Sequence, residues 1–334
     1  MNYLVSKKYD YLWFIGPSFI SCCFVLVFYF IGIAPETTSP LYWLMFVVFI
    51  DVSHVWSTLF RTYLSKEKRI KFQKELWIIP FICYGSGVLL HSIGDMIFWR
   101  VLAYLAVFHF IRQQYGFFQL YDRKEKKTKS FILLDSIMIY SATIIPLIIW
   151  HFSGLQQIHW FVEGDFLYVY YPQFIKYFII LACIILFLYL VKELLILKNK
   201  LYSPKNLLVF GTCLSWWIGI VWIKTDWAFT ITNVVSHGIP YFALIYHYDI
   251  KERKKIVWWS HFPTYTIFIF LFSIGYLEEG LWDIFIWKDH ISVFPFFDHV
   301  SVLSDSALLS LIVPLLTLPQ AIHYILDGYI WKQN

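Results

Sequence analysis

Four histidines of this sequence, His54, His109, His237 and His323, stand inside long apolar stretches. Each has an oxygen-bearing side chain one helical turn away: Asp51 before His54, Gln113 after His109, Asn233 before His237 and Asp327 after His323. Spacings of three and four residues put both groups of a pair on one helix face. Imidazole with carboxylate or amide on converging helices is a ligand set that Zn, Fe, Ni or Cu favours, and a carboxylate behind a ligand histidine fixes its tautomer. The pattern predicts one transition-metal centre held by His54, His109, His237 and His323. Asp51 and Asp327 are expected beside it as further ligands or hydrogen-bond acceptors with catalytic roles. Arg112, one turn past His109, is expected either to neutralise an anionic substrate group or to pair with Asp51 or Asp327. Fe(II) is the expected metal ahead of Zn(II), since neutral imidazoles with an open position suit oxygen chemistry on a lipid. For any single histidine the competing reading is an interhelical hydrogen bond without a metal.

The elements that carry these residues must be membrane helices. The chain is 59% hydrophobic, 22% aromatic and only 15% charged, which lies outside the range of a water-soluble domain. At about 20 apolar residues per crossing, spans are expected near 11–33, 40–60, 76–94, 97–121, 131–152, 172–197, 207–224, 226–248, 257–277 and 306–330. The predicted fold is therefore an all-α, polytopic transmembrane bundle of ten spans, forming a single membrane domain over residues 1–334. Of the 27 Lys and Arg, 22 fall in the segments that alternate spans place on one side: Lys7/Lys8, Arg61–Lys74, Arg123–Lys129, Lys192–Lys205, Lys251–Lys255 and Lys332. The positive-inside rule then puts both termini in the cytoplasm. The N-terminal apolar run is too long for a signal h-region and is expected to stay as the first span.

On the opposite side lie two connections, 153–171 and 278–305, rich in aromatics such as Trp160, Tyr168, Trp282, Trp287, Phe296 and Phe297. They are expected to lie as caps in the headgroup layer. The second carries the acids Glu278, Glu279 and Asp283. His261 and His299 are expected at the interface. Counted from the nearest cytoplasmic cation, the four core histidines occupy a slab about 8 Å deep, so they could meet. The five cysteines form no CxxC pair and read as small buried hydrophobes. A parallel internal repeat is suggested by Val52-Ser53-His54 recurring as Val235-Ser236-His237, and by His109-Phe110-Ile111 recurring as His323-Tyr324-Ile325. It would relate spans 1–4 to spans 7–10.

Nucleic acid is not an expected partner, because the cations cluster between spans instead of along one polar face. Phosphate-binding glycine loops, G-x-S-x-G elbows and HxxxH/HxxHH boxes are absent from the sequence, which disfavours nucleotide hydrolysis, serine hydrolysis and desaturase chemistry. The expected function is a membrane-embedded metalloenzyme acting on a lipid-soluble small molecule, an oxygenase among the candidates, in a bacterial inner membrane. A proton-coupled carrier with a midplane His/Asp site and a haem protein are the alternatives. In architecture the chain resembles polytopic bacterial carotene-cleaving oxygenases, which hold iron through single histidines on several helices; none of their sequence patterns is matched here. Cysteine-accessibility labelling is expected to find 66–74, 123–129 and 251–255 on one membrane face and 278–305 on the other. Labelling of both sets from the same face would make the span count wrong by an odd number.

Overall fold

A computed structural model describes residues 3–123, 128–154, 159–198, 201–251, 263–295 and 300–330. The expected cytoplasmic cations Lys124–Lys127, Arg253–Lys255 and Lys332, together with His261, Phe296, Phe297 and His299, lie outside the described residues. The described chain is all-helical, and its only extended pairing is an isolated bridge between Ser153 and Tyr170.

Apart from a short turn of helix at Lys66–Lys71, the helices are α1 (Lys7–Phe30), α2 (Pro40–Arg61), α3 (Gln73–Ile93), α4 (Asp95–Asp122), α5 (Lys129–Phe152), α6 (Pro172–Ile196), α7 (Pro204–Ile223), α8 (Asp226–Lys251), α9 (Thr264–Trp282), α10 (Ser306–Leu316) and α11 (Leu318–Ile330). A helix therefore occupies every expected span. Seven of them (α1, α2, α3, α5, α6, α7 and α8) are long and apolar enough to cross a membrane, and α10 with α11 makes an eighth if the bent pair is one span. α4 carries His109, Arg112, Gln113 and Gln114, and α9 carries Glu278 and Glu279, so polar residues keep both below that standard of apolarity. Ser39, Ser203 and Asp305 cap α2, α7 and α10 by accepting backbone N–H bonds, which satisfies donors that hydrocarbon cannot.

Three expectations are corrected. The tenth span is not one rod: α10 and α11 meet at 42° around Thr317, because Pro319 has no N–H to continue the ladder. The acids Glu278, Glu279 and Asp283 are not in an outer loop. They are buried, α9 runs on through Trp282, and wide π-helical turns extend it to Trp287. Two of the five free cysteines, Cys23 and Cys183, are exposed instead of buried.

The residues cluster into two compact units, one of 1–38 with 107–240 and one of 39–106 with 241–334. In the first, α5 packs on α6 and α7, and α7 packs on α1. α6 is almost wholly exposed along Phe174, Tyr177, Ile180, Phe187 and Leu195, as expected of a lipid-facing helix. In the second, α3 packs on α10 and α11, and α2 packs on α9 and α11. Gly275 of α9 allows a close approach: a Cβ there would meet Ser53 Oγ at 2.7 Å and Val48 O at 3.1 Å.

Three of the expected loop cations are not solvated charges. Arg61 donates to Asp249 Oδ2 at 2.8 Å in the second unit, with both residues buried. In the first unit, Lys192 pairs with Asp135 and with Glu193 (2.8 Å), while Lys205 pairs with Glu193 (2.8 Å) and lies 3.8 Å from Asp122. This network ties α4, α5, α6 and α7 together. Removing one member of a buried pair strands the other charge, at a cost of about 3–5 kcal/mol. Lys192→Met is therefore expected to lower the thermal unfolding midpoint in detergent well below that of Lys198→Met at the end of α6. Equal midpoints would show that the network adds no stability.

Candidate metal centre

The first unit supplies His109 from α4 and His237 from α8, both buried, with ring centroids 5.0 Å apart and planes at 81°. The Phe110 ring stacks on His237 at 3.6 Å and 10°. Trp160, from the connection after α5, packs edge-on against Phe110 (4.8 Å) and Phe229 (5.4 Å). Trp160 is placed there by Asp165, which accepts the backbone N–H groups of Trp160, Phe161 and Val162 at 2.7–3.3 Å. This part of the expected headgroup cap therefore turns inward, whereas Tyr170 and Tyr171 remain exposed.

Gln113 and Asn233 do not act as imidazole partners. Gln113 Nε2 donates to the backbone carbonyl of His237 (2.8 Å), and Gln114 Nε2 donates to that of Ser236 (3.3 Å). Thr212 Oγ1 in turn donates to Gln114 Oε1 at 3.0 Å. Asn233 Nδ2 is used on Phe229 O and Thr232 Oγ1, both at 3.2 Å. The amides thus hold the backbone of α8 against α4 and fix where His237 starts from. Arg112 is on the exposed side of α4, where its guanidinium donates to Tyr140 Oη and lies 5.1 Å over the Tyr115 ring. The expected pairing with Asp51 or Asp327 is replaced by these tyrosine contacts.

The second unit supplies His54 from α2 and His323 from α11, again buried, with centroids 5.0 Å apart and planes at 80°. Asp51 Oδ1 lies 3.6 Å from His54 Nδ1, and the nearer acceptor of that nitrogen is Ile50 O at 3.3 Å. His323 Nδ1 is 2.7 Å from Thr58 Oγ1 and 4.0 Å from Asp327 Oδ1. The carboxylate reaches the imidazole through other side chains: Tyr241 Oη donates to Asp327 Oδ1 (2.7 Å) and lies 2.9 Å from Thr58 Oγ1. With Nδ1 of both rings engaged by oxygen, Nε2 is the nitrogen each presents to a ligand, the arrangement usual for metal-bound histidine. Thr58 and Tyr241 were not singled out in the sequence, although each stands four residues after a core histidine.

The four histidines each offer a ring nitrogen, and these atoms all lie within 4.8 Å of one another. Four ligands about 2.1 Å from one ion in tetrahedral array would be about 3.4 Å apart, a separation of the same order as the 4.8 Å within which these nitrogens lie. Four buried imidazoles in apolar helices fit a membrane metal site. Four neutral rings add no charge, while Asp51 and Asp327 stand beside His54 and His323 and together would balance a divalent cation. Among the described residues no other group of three or more His, Cys, Asp or Glu converges in this way.

No protein-family model, curated protein or solved structure matches the chain. The geometry alone carries the functional reading.

Removing a hydrogen-bond partner behind a ligand histidine typically costs about 10–100-fold in metal affinity. Thr58→Val is expected to weaken metal binding within that range, measured by competition with a chromogenic chelator. Tyr241→Phe, which leaves Thr58 in place, is expected to have a smaller effect. An unchanged affinity in Thr58→Val would mean that the Thr58 contact does not orient His323.

Proposed function

We propose that the protein is a membrane-embedded metalloenzyme that acts on a lipid-soluble substrate at a centre held by His54, His109, His237 and His323. The observation that carries this reading is the convergence of four buried imidazole nitrogens from four different helices within 4.8 Å. Four polar rings in apolar surroundings cost free energy unless they are paired, and coordination offsets that cost. Fe(II) is the favoured ion and Zn(II) the second, because the donors are all imidazole and suit either. When bound, such an ion would supply Lewis acidity or oxygen chemistry. The chain's own residues do the rest: Thr58 and Ile50 O orient two rings, Asp51 and Asp327 balance charge, and Phe110 with Trp160 excludes water from the His237 side.

In the same proposal the ten helical spans all cross the bilayer, with both termini in the cytoplasm of a bacterial inner membrane, and spans 1–4 and 7–10 form a parallel repeat. The basis is the distribution of 22 of the 27 cations over alternate connections and the paired Val-Ser-His and His-x-Ile segments. Substrate would enter from the lipid, which most of the exposed side chains of α3 and α6 are apolar enough to face.

Elemental analysis with an optical spectrum of the purified protein tests the function. Stoichiometric iron or zinc is expected, with loss of the metal in His109→Ala and in His323→Ala. A Soret band would favour haem instead. Metal-free wild type, or both alanine variants retaining full metal content, would refute the metalloenzyme reading and leave the carrier alternative standing.

A further inference from the structure

A second polar group in the second unit is on α9, which carries none of the four histidines. Glu278 and Glu279 of α9 are 5% and 9% exposed, in a helix that packs against α2 and α10. Among the described residues no lysine or arginine pairs with either one. The Trp56 indole N–H donates to Glu278 Oε2 at 2.6 Å, while Glu278 Oε1 is fully buried with no hydrogen-bond partner.

A carboxylate in that setting would be a buried charge without a counterion, which costs several kcal/mol or more. Two relieving states exist: a bound cation or a bound proton. A metal ion is the poorer choice, because the carboxyl oxygens of Glu278, Glu279, Asp51 and Asp283 do not converge as the four histidines do. A proton needs no convergence. It needs an oxygen without a donor, which Glu278 Oε1 is.

The pair also lies one helical turn from a partly exposed histidine contact. One turn beyond Glu279, Asp283 is buried but accepts the backbone N–H of His290 at 2.7 Å, and its Oδ1 lies 3.8 Å from His290 Nδ1. The His290 side chain is 22% exposed and stacks on Trp43 at 3.7 Å. Burial holds the His290 pKa below the ordinary histidine value against the opposing pull of Asp283 and Asp289, so at neutral pH the ring is a neutral base that can accept a proton and pass it on. The other titratable groups facing the pair are Asp51 on α2 and Tyr324 on α11.

From this geometry we infer that Glu278 and Glu279 are a proton-holding pair, filled from water through His290 and Asp283, that supplies the interior of the second unit. The path carries protons only and requires no redox partner. It suits chemistry that consumes or releases protons out of reach of bulk water.

The test is infrared spectroscopy of the full-length protein in lipid nanodiscs at neutral pH, where the C=O stretch of a protonated carboxyl is separate from carboxylate bands and shifts in D2O. The wild type is expected to show this absorption, with one component lost in Glu278→Gln and another in Glu279→Gln. Glu278→Asp, which keeps a carboxyl, is expected to restore a displaced component and so to separate loss of a proton carrier from a defect in folding. In Asp283→Asn the shift on transfer to D2O is expected to be slower than in wild type. Absence of the band in wild type, an undiminished band in both glutamine variants, or unchanged exchange in Asp283→Asn would overturn the proposal.

Discussion

Pairing of buried polar groups is the constraint on which the rest of this structure depends. Hydrocarbon offers neither hydrogen bonds nor counterions, so a polar side chain in the apolar helices is stabilised where another group answers it. The answers take three forms. Lys192 and Lys205 with Asp135, Glu193 and Asp122 make an ion network. Thr58, Tyr241, Asp327 and His323 make a hydrogen-bonded chain. The four buried imidazoles each bring a ring nitrogen within 4.8 Å of the others, which fits a metal site.

This constraint explains how much of the site was legible in the sequence. Imidazoles are conspicuous in an apolar run, and a common depth followed from counting residues to the next cation, so His54, His109, His237 and His323 could be named together. Their partners were harder to assign. Spacing shows which residues share a helix face with a histidine, but not whether a different helix offers a better contact. Gln113 shares a face with His109 yet donates to the backbone of α8. Thr58 shares a face with His54 yet lies against His323. A hydroxyl one turn from a histidine is too common a pattern to single out until the opposing helix is in place.

The fold shows the same division. Hydropathy located a helix in each expected span, because a run of about 20 apolar residues has few other uses, but not the short charged helix Lys66–Lys71. It misjudged the chain's charged residues, since a lysine or glutamate in sequence looks equally charged whether it is solvated or buried in a pair. Lys192 and Arg61 read as loop cations, and Glu278 and Glu279 read as loop acids. Both readings failed for one reason: burial depends on what packs alongside, which a single segment does not encode. The break between α10 and α11 was in principle visible at Pro319, but proline is tolerated in many membrane helices, and its effect here depends on the turn at Thr317.

Gly275 has a consequence for tolerance to change. Three residues before Glu278, it brings α9 so near α2 that even a methyl group would press on Ser53 Oγ, itself bonded to Val48 O at 2.8 Å. The separation between the Trp56 indole and the Glu278 carboxyl is therefore keyed to a missing side chain. An alanine at 275 would add nothing polar and remove no ligand, yet by wedging the two helices apart it would lengthen the one hydrogen bond that holds Glu278. A position with no chemistry of its own thus sets a contact that a polar group depends on.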